Sequence, residues 1–116
     1  MKTTRRIIET RSFSRQIAQL LRSYSLASSD YDTFKRNLAE NPEKAPVLSG
    51  TGGVRKIRLK STSKGKSGGF RVCYFYYLAA EVIYLLFIFQ KNEQENLSNA
   101  EKKELKALTD RLKGEL

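Results

Sequence analysis

The chain has no histidine. That removes the commonest general base, every Ser–His or Cys–His pair, and the commonest zinc ligand. There is one cysteine, Cys73, so an internal disulfide is excluded, and a zinc site has too few ligands. The expected role of Cys73 is that of a small buried hydrophobe in a strand. Acid–base chemistry here must use Lys, Arg, Tyr, Asp or Glu. Acids are missing locally as well: from Lys44 to Ala80 no Asp or Glu occurs, against eight basic residues. The amino terminus, Met1 to Glu9, is basic and lacks the apolar core and cleavage site of a signal peptide. Together with the single thiol, this suits a reducing cytoplasm.

The 116 residues have room for one domain, spanning 1–116, with a modest core. The formal net charge is +10, which suits a polyanionic partner, since a one-signed field costs stability through self-repulsion. Its densest part is Arg55, Lys56, Arg58, Lys60, Lys64, Lys66 and Arg71, set around Gly52-Gly53 and Gly68-Gly69. The run Val72 to Phe89 carries one charge, Glu81, and approaches the length of a spanning helix. Its Tyr, Phe, Ile and Val content favours strands, and Ala79-Ala80-Glu81 interrupts it. Two strands joined by a tight turn are expected, and no membrane span.

Periodicity supplies the rest of the plan. Arg5 to Thr10 reads as a short strand. Phe13, Ile17, Leu20, Leu21 and Tyr24 recur at helical spacing, with Ser12 as the expected cap. A second helix should run from Ser29 to Glu40, with Ser29 and Asp32 as a capping box and Tyr31, Phe34 and Leu38 as its stripe. Asn41-Pro42 should end it. Strands are expected at Val54–Leu59, Phe70–Leu78 and Val82–Phe89. Ser98 and Glu101 form a capping box opening a last helix, whose inner face is Leu105, Leu108 and Leu112. The fold class is therefore α+β, in the order β-α-α-β-β-β-α, with helices packed on a small, mostly antiparallel four-stranded sheet.

Gly65-Lys66-Ser67 imitates the tail of a nucleotide-binding loop. The glycine required five residues earlier is Lys60, and a strand follows instead of a helix, so that reading fails. The basic strand and loop read better as a polyanion site than as a solvated face. Arg71, between Phe70 and Val72, can fork two hydrogen bonds onto a phosphate. Tyr74, Tyr76, Tyr77 and Tyr84 could stack on splayed bases, although packing in the core is the commoner use of such tyrosines.

The blocks Thr51-Gly52-Gly53-Val54-Arg55-Lys56-Ile57-Arg58, Gly65-Lys66-Ser67-Gly68-Gly69 with Arg71, and Gln90-Lys91-Asn92-Glu93, in that order, resemble the HigB branch of the RelE/ParE toxin superfamily. The resemblance covers essentially the whole chain. It implies a type II toxin that binds the ribosomal A site and cuts mRNA there, without metal or small-molecule cofactor. It also implies a HigA-like helix-turn-helix antitoxin as partner. By position, the catalytic residues would be Lys56 and Arg58 on the second strand, Arg71 on the third and Lys91 after the fourth. Arg55, Lys60, Lys64, Lys66 and Asn92 would contact RNA or ribosome. RelE itself also has a tyrosine slightly beyond the fourth strand; here that region reads Asn96-Leu97-Ser98, so that role is vacant or filled from elsewhere. Two other classes stay open: a ParE-like gyrase poison, and a nucleic-acid-binding module without catalysis.

Overall fold

A computed structural model describes residues 5–62, 69–90 and 97–115. The elements are β1 (Arg6–Glu9), α1 (Arg11–Arg22), α2 (Ser28–Glu40), β2 (Val54–Leu59), β3 (Phe70–Tyr77), β4 (Val82–Gln90) and α3 (Asn99–Glu115). The sheet order is β1-β4-β3-β2. β1 runs parallel to β4, and the other two pairings are antiparallel. The apolar run from Val72 is therefore two strands joined by a 3-10 turn, Leu78–Ala80, with Glu81 left-handed at φ 53°. Among the described residues no helix is long and apolar enough to cross a membrane.

Strand alternation sorts the side chains onto two buried faces. On one, Leu59, Phe70, Val72, Tyr74, Ile83 and Leu85 pack against Phe13 and Ile17 of α1 and Tyr31, Phe34 and Leu38 of α2. On the other, Val54, Cys73, Phe75, Val82 and Tyr84 pack against Leu105 and Leu112 of α3, with Leu108 partly buried beside them. The alternation slips once. Cys73 pairs with Phe87 but Tyr74 with Leu85, so Leu86 is an inserted residue in β4. This bulge turns both Leu86 and Phe87 toward α3 and returns Ile88 to the α1 and α2 side.

The helix starts show where local signals compete. α1 is capped by Thr10, not Ser12: its hydroxyl accepts the Phe13 N–H and donates to the Leu85 carbonyl at 3.0 Å. Thr10 wins because β1 delivers it to β4, where its backbone N–H also donates to Leu85. The expected Ser29–Asp32 box does not form. α2 starts at Ser28 after Ala27, with no side-chain cap, and Asp30 in its first turn accepts instead from the Thr62 N–H and hydroxyl. The box of α3 does form, with Glu101 accepting from the Ser98 N–H and the Ser98 hydroxyl accepting from the Glu101 N–H. Tyr24, counted by its spacing into the stripe of α1, lies past the end of the helix and is 88% exposed.

Gly52 lets α3 seat on the sheet. Its φ is +76°, and a Cβ there would come within 2.5 Å of Thr109 Oγ1. The fully buried Thr109 hydroxyl donates to the carbonyls of Lys106 and Thr51, so helix and loop meet backbone to side chain.

Candidate active site

Lys56 and Arg58 stand two residues apart on β2 and therefore share a face. Lys56 pairs with Cys73 and Arg58 with Arg71. Cys73 belongs to the cluster beneath α3, so the three cations Lys56, Arg58 and Arg71 lie on the α3 side of the sheet. Directly opposed residues of an antiparallel pair hold their Cβ atoms about 4.5–5.5 Å apart, and like charges so placed are destabilising. The protein keeps two arginines in that relation. Arg58 is exposed, while Lys56 and Arg71 are half-buried. The Arg71 guanidinium donates to the Phe70 carbonyl at 3.2 Å, which holds it at the end of the sheet. Across from Arg71 is Phe89, whose ring packs 5.5 Å from that of Phe87.

Burial pushes the Cys73 thiol up to about 12; the Lys56 ammonium pulls it down and the Glu101 carboxylate adds to the rise. Cys73 is thus the inert buried residue expected, and it reports that both charges act on the same spot. Glu101, read from the sequence only as part of a helix cap, brings a carboxylate to the cationic face. Its second role had no local signal, because it depends on how α3 lies across the sheet.

Arg55 is separated from these residues. It pairs with Tyr74 and belongs to the opposite face. Its guanidinium donates to the carbonyls of Glu43 and Ala45 and lies 3.9 Å from the Glu43 carboxylate, with the side chain only 19% exposed. It pins the loop before β2. Lys60 is exposed just beyond β2 and lines, with Arg58, Lys44 and Asp30, a cleft between α2 and the sheet edge. Lys64, Lys66, Lys91 and Asn92 lie outside the described residues.

The four tyrosines considered for base stacking are absorbed by packing. Tyr74 is fully buried and donates to the Pro42 carbonyl at 2.7 Å, and Tyr84 is buried beside Phe75. Tyr76 takes a hydrogen bond from Arg5, and Tyr77 stacks on Phe75.

A family model described as the RelE toxin of the RelE/RelB toxin-antitoxin system matches residues 5–115. Among solved structures, a doubly substituted mutant of the E. coli toxin RelE in the free state is similar, with a TM-score of 0.53 and 18% identity over 80% of this chain and 90% of that one. At that identity the likeness is one of fold.

Proposed function

We propose that this protein, which belongs to the RelE toxin family of toxin–antitoxin systems, is a ribosome-dependent mRNA endoribonuclease of the HigB branch, acting in the cytoplasm as a single domain. The observation that carries this reading is the apposition of Arg58 and Arg71 on one face with Lys56. Cations brought together on one face attract a polyanion.

The chemistry follows from the charge. The ribose 2′-oxygen attacks the adjacent phosphorus, the bond from phosphorus to the 5′-oxygen breaks, and a cyclic phosphate and a 5′-hydroxyl result. A base takes the 2′-hydroxyl proton, and an acid returns one to the leaving oxygen. Negative charge builds on the non-bridging oxygens, where fixed cationic donors help most. Arg71 is the first candidate for that role and Arg58 the second. Lys56 and Lys91 are the candidates for proton transfer. Lys60, Lys64 and Lys66 are the candidates to grip RNA backbone, and Asn92 is a further candidate for contact with RNA or ribosome. The proposed partners are the ribosomal A site with its mRNA and a HigA-like helix-turn-helix antitoxin that masks the cations.

The test compares wild type with Arg71→Ala and Lys56→Ala for growth arrest and for cleavage of translated mRNA. Both variants should lose arrest and cleavage together. Full cleavage by both would remove the site assignment. Damaged DNA with intact message would favour a gyrase poison, and harmless overexpression a non-catalytic binding module. The antitoxin arm asks whether the adjacent gene encodes a small helix-turn-helix protein, whose co-expression should abolish arrest.

A further inference from the structure

We propose that Glu101, in the first turn of α3, is the general base that takes the 2′-hydroxyl proton, with Lys56 as the acid at the leaving 5′-oxygen. This deepens the endonuclease reading and rests on it for the reaction.

The strands of the cationic face bring no carboxylate of their own. β2, β3 and β4 contain neither Asp nor Glu. An acid must come to this face from outside these strands, and α3 delivers one. Leu105 and Leu112 of α3 pack in one cluster with Cys73 and Phe75, and the Thr109 hydroxyl donates to the Thr51 carbonyl. Glu101 lies four residues before Leu105 and so on the same side of the helix. That seat sets it over the cross-strand row Lys56, Cys73 and Phe87.

Two observations fix the position. Glu101 lines a cavity together with Phe87, Leu97 and Leu105, which puts it at the β4 end of the row. Its carboxylate and the Lys56 ammonium both act on the Cys73 thiol in the middle of the row. The carboxylate is also held in place. Its Oε1 accepts the Ser98 N–H at 2.8 Å, and the Ser98 hydroxyl accepts the Glu101 N–H at 3.1 Å. The residue is half-buried, which leaves it open to a substrate. The next row of the face is Arg58, Arg71 and Phe89, two residues of strand or about 7 Å further along. A phosphate gripped by Arg71 and Arg58 therefore has the carboxylate one row away. The ribose whose 2′-oxygen attacks that phosphate can lie between them.

Ordinary ionisation assigns the roles. A glutamate loses its proton at about 4.3 and a lysine at about 10.4, so at neutral pH the carboxylate accepts and the ammonium donates. The 2′-hydroxyl proton passes to Glu101 as the 2′-oxygen bonds to phosphorus. The bond from phosphorus to the 5′-oxygen breaks, and Lys56 Nζ gives that oxygen a proton. Exchange with water then takes the proton from Glu101 and returns one to Lys56.

The experiment measures single-turnover cleavage of ribosome-bound mRNA by wild type, Glu101→Gln, Ser98→Ala and Lys56→Met, with a thermal melt of each. Glutamine keeps an oxygen for the Ser98 N–H, as capping boxes allow, and removes only the charge. Glu101→Gln should stay folded and cleave about a hundred- to ten-thousandfold more slowly. Ser98→Ala should do the reverse, with a lower melting temperature from the lost cap and cleavage near wild type. Wild-type cleavage should rise with pH through the carboxylate range, and Glu101→Gln should lose that rise. A substrate with sulfur in place of the 5′-oxygen has a leaving group that needs no acid. It should rescue Lys56→Met and leave Glu101→Gln slow. Equal losses in Glu101→Gln and Ser98→Ala, or rescue of Glu101→Gln by sulfur, would overturn Glu101 as the base. Failure of sulfur to rescue Lys56→Met would overturn Lys56 as the acid. Cleavage by Glu101→Gln at the wild-type rate would remove Glu101 alone, whereas message left intact by wild type would remove the endonuclease reading with it.

Discussion

Arg55 and Arg58 sit three residues apart on the same strand and are used in opposite ways. Arg55 faces α2, and its charge is spent on two backbone carbonyls and a glutamate, fixing the loop that enters β2. Arg58 is exposed on the edge strand and is set directly across from another arginine. The same contrast separates the two faces as wholes. On the α1 and α2 side, Glu9 accepts from the Tyr31 and Ser14 hydroxyls, and Arg5 donates to the Ala39 carbonyl and to Tyr76. There, charge holds the fold together. On the α3 side, strand pairing brings Lys56, Arg58 and Arg71 together instead.

The comparison breaks most directly at Arg71. Arg71→Ala should lower the rate of mRNA cleavage by about a hundred- to a thousandfold, the usual loss for one donor to a developing oxyanion, while the protein stays folded. A single-turnover cleavage assay with a thermal melt reads both. A variant that loses activity only by unfolding would place Arg71 with Arg55, among the structural charges.

Gly52→Ala has the next largest effect. The added methyl meets Thr109 Oγ1 in a left-handed turn. Overpacking of this kind costs about 1–3 kcal/mol, measurable as a lower denaturant midpoint. Because the strain falls between α3 and the sheet, protection of backbone amides should drop in α3 and hold in α2. Uniform loss would show the two faces to be one cooperative unit.

Arg55→Ala should act the other way from Arg71→Ala. It should cost about 1 kcal/mol, the net worth of a typical hydrogen bond, and leave cleavage and RNA affinity intact. A clear fall in RNA affinity without loss of stability would return Arg55 to the binding surface.

Much of this was legible from period and composition. Val54–Leu59 was bounded correctly because Gly52-Gly53 precede it and its hydrophobes are interrupted by cations at strand spacing. The Ser98–Glu101 box was readable because both partners lie within one helical turn. The misplaced caps have a common cause, since Thr10 is chosen by its tie to Leu85 and Asp30 is diverted to Thr62, both partners remote in sequence. The same limit hid the division between Arg55 and Arg58. Alternation puts them on opposite faces, but only the loop from Asn41 to Val47 decides which arginine has carbonyls to bind. Tyr24 fitted a helical stripe by spacing and was lost from it because α1 ends at Arg22.

The smallest effect falls on Cys73, directly opposite Lys56 on the α3 side. Its thiol ordinarily ionises near 9.0 and in the fold near 12. A raised acid stays protonated in the native state while the unfolded chain has lost its proton. Stability is therefore complete below about pH 9 and falls as pH rises toward 12. Tyr31 and Tyr74 are also raised, but from 10.0, so near pH 9 the slope of denaturant midpoint against pH that these three groups give belongs mainly to Cys73, and Cys73→Ala should flatten it there. The native thiol itself senses the charges beside it, read as the pH midpoint of its Cβ resonance in a carbon-13 NMR titration. Lys56→Met should raise that midpoint by removing a cation that favours the thiolate, and Glu101→Gln should lower it. Arg55→Ala, across the sheet, should change nothing. Equal midpoints in Lys56→Met and wild type would take Lys56 out of the cationic group that distinguishes this face.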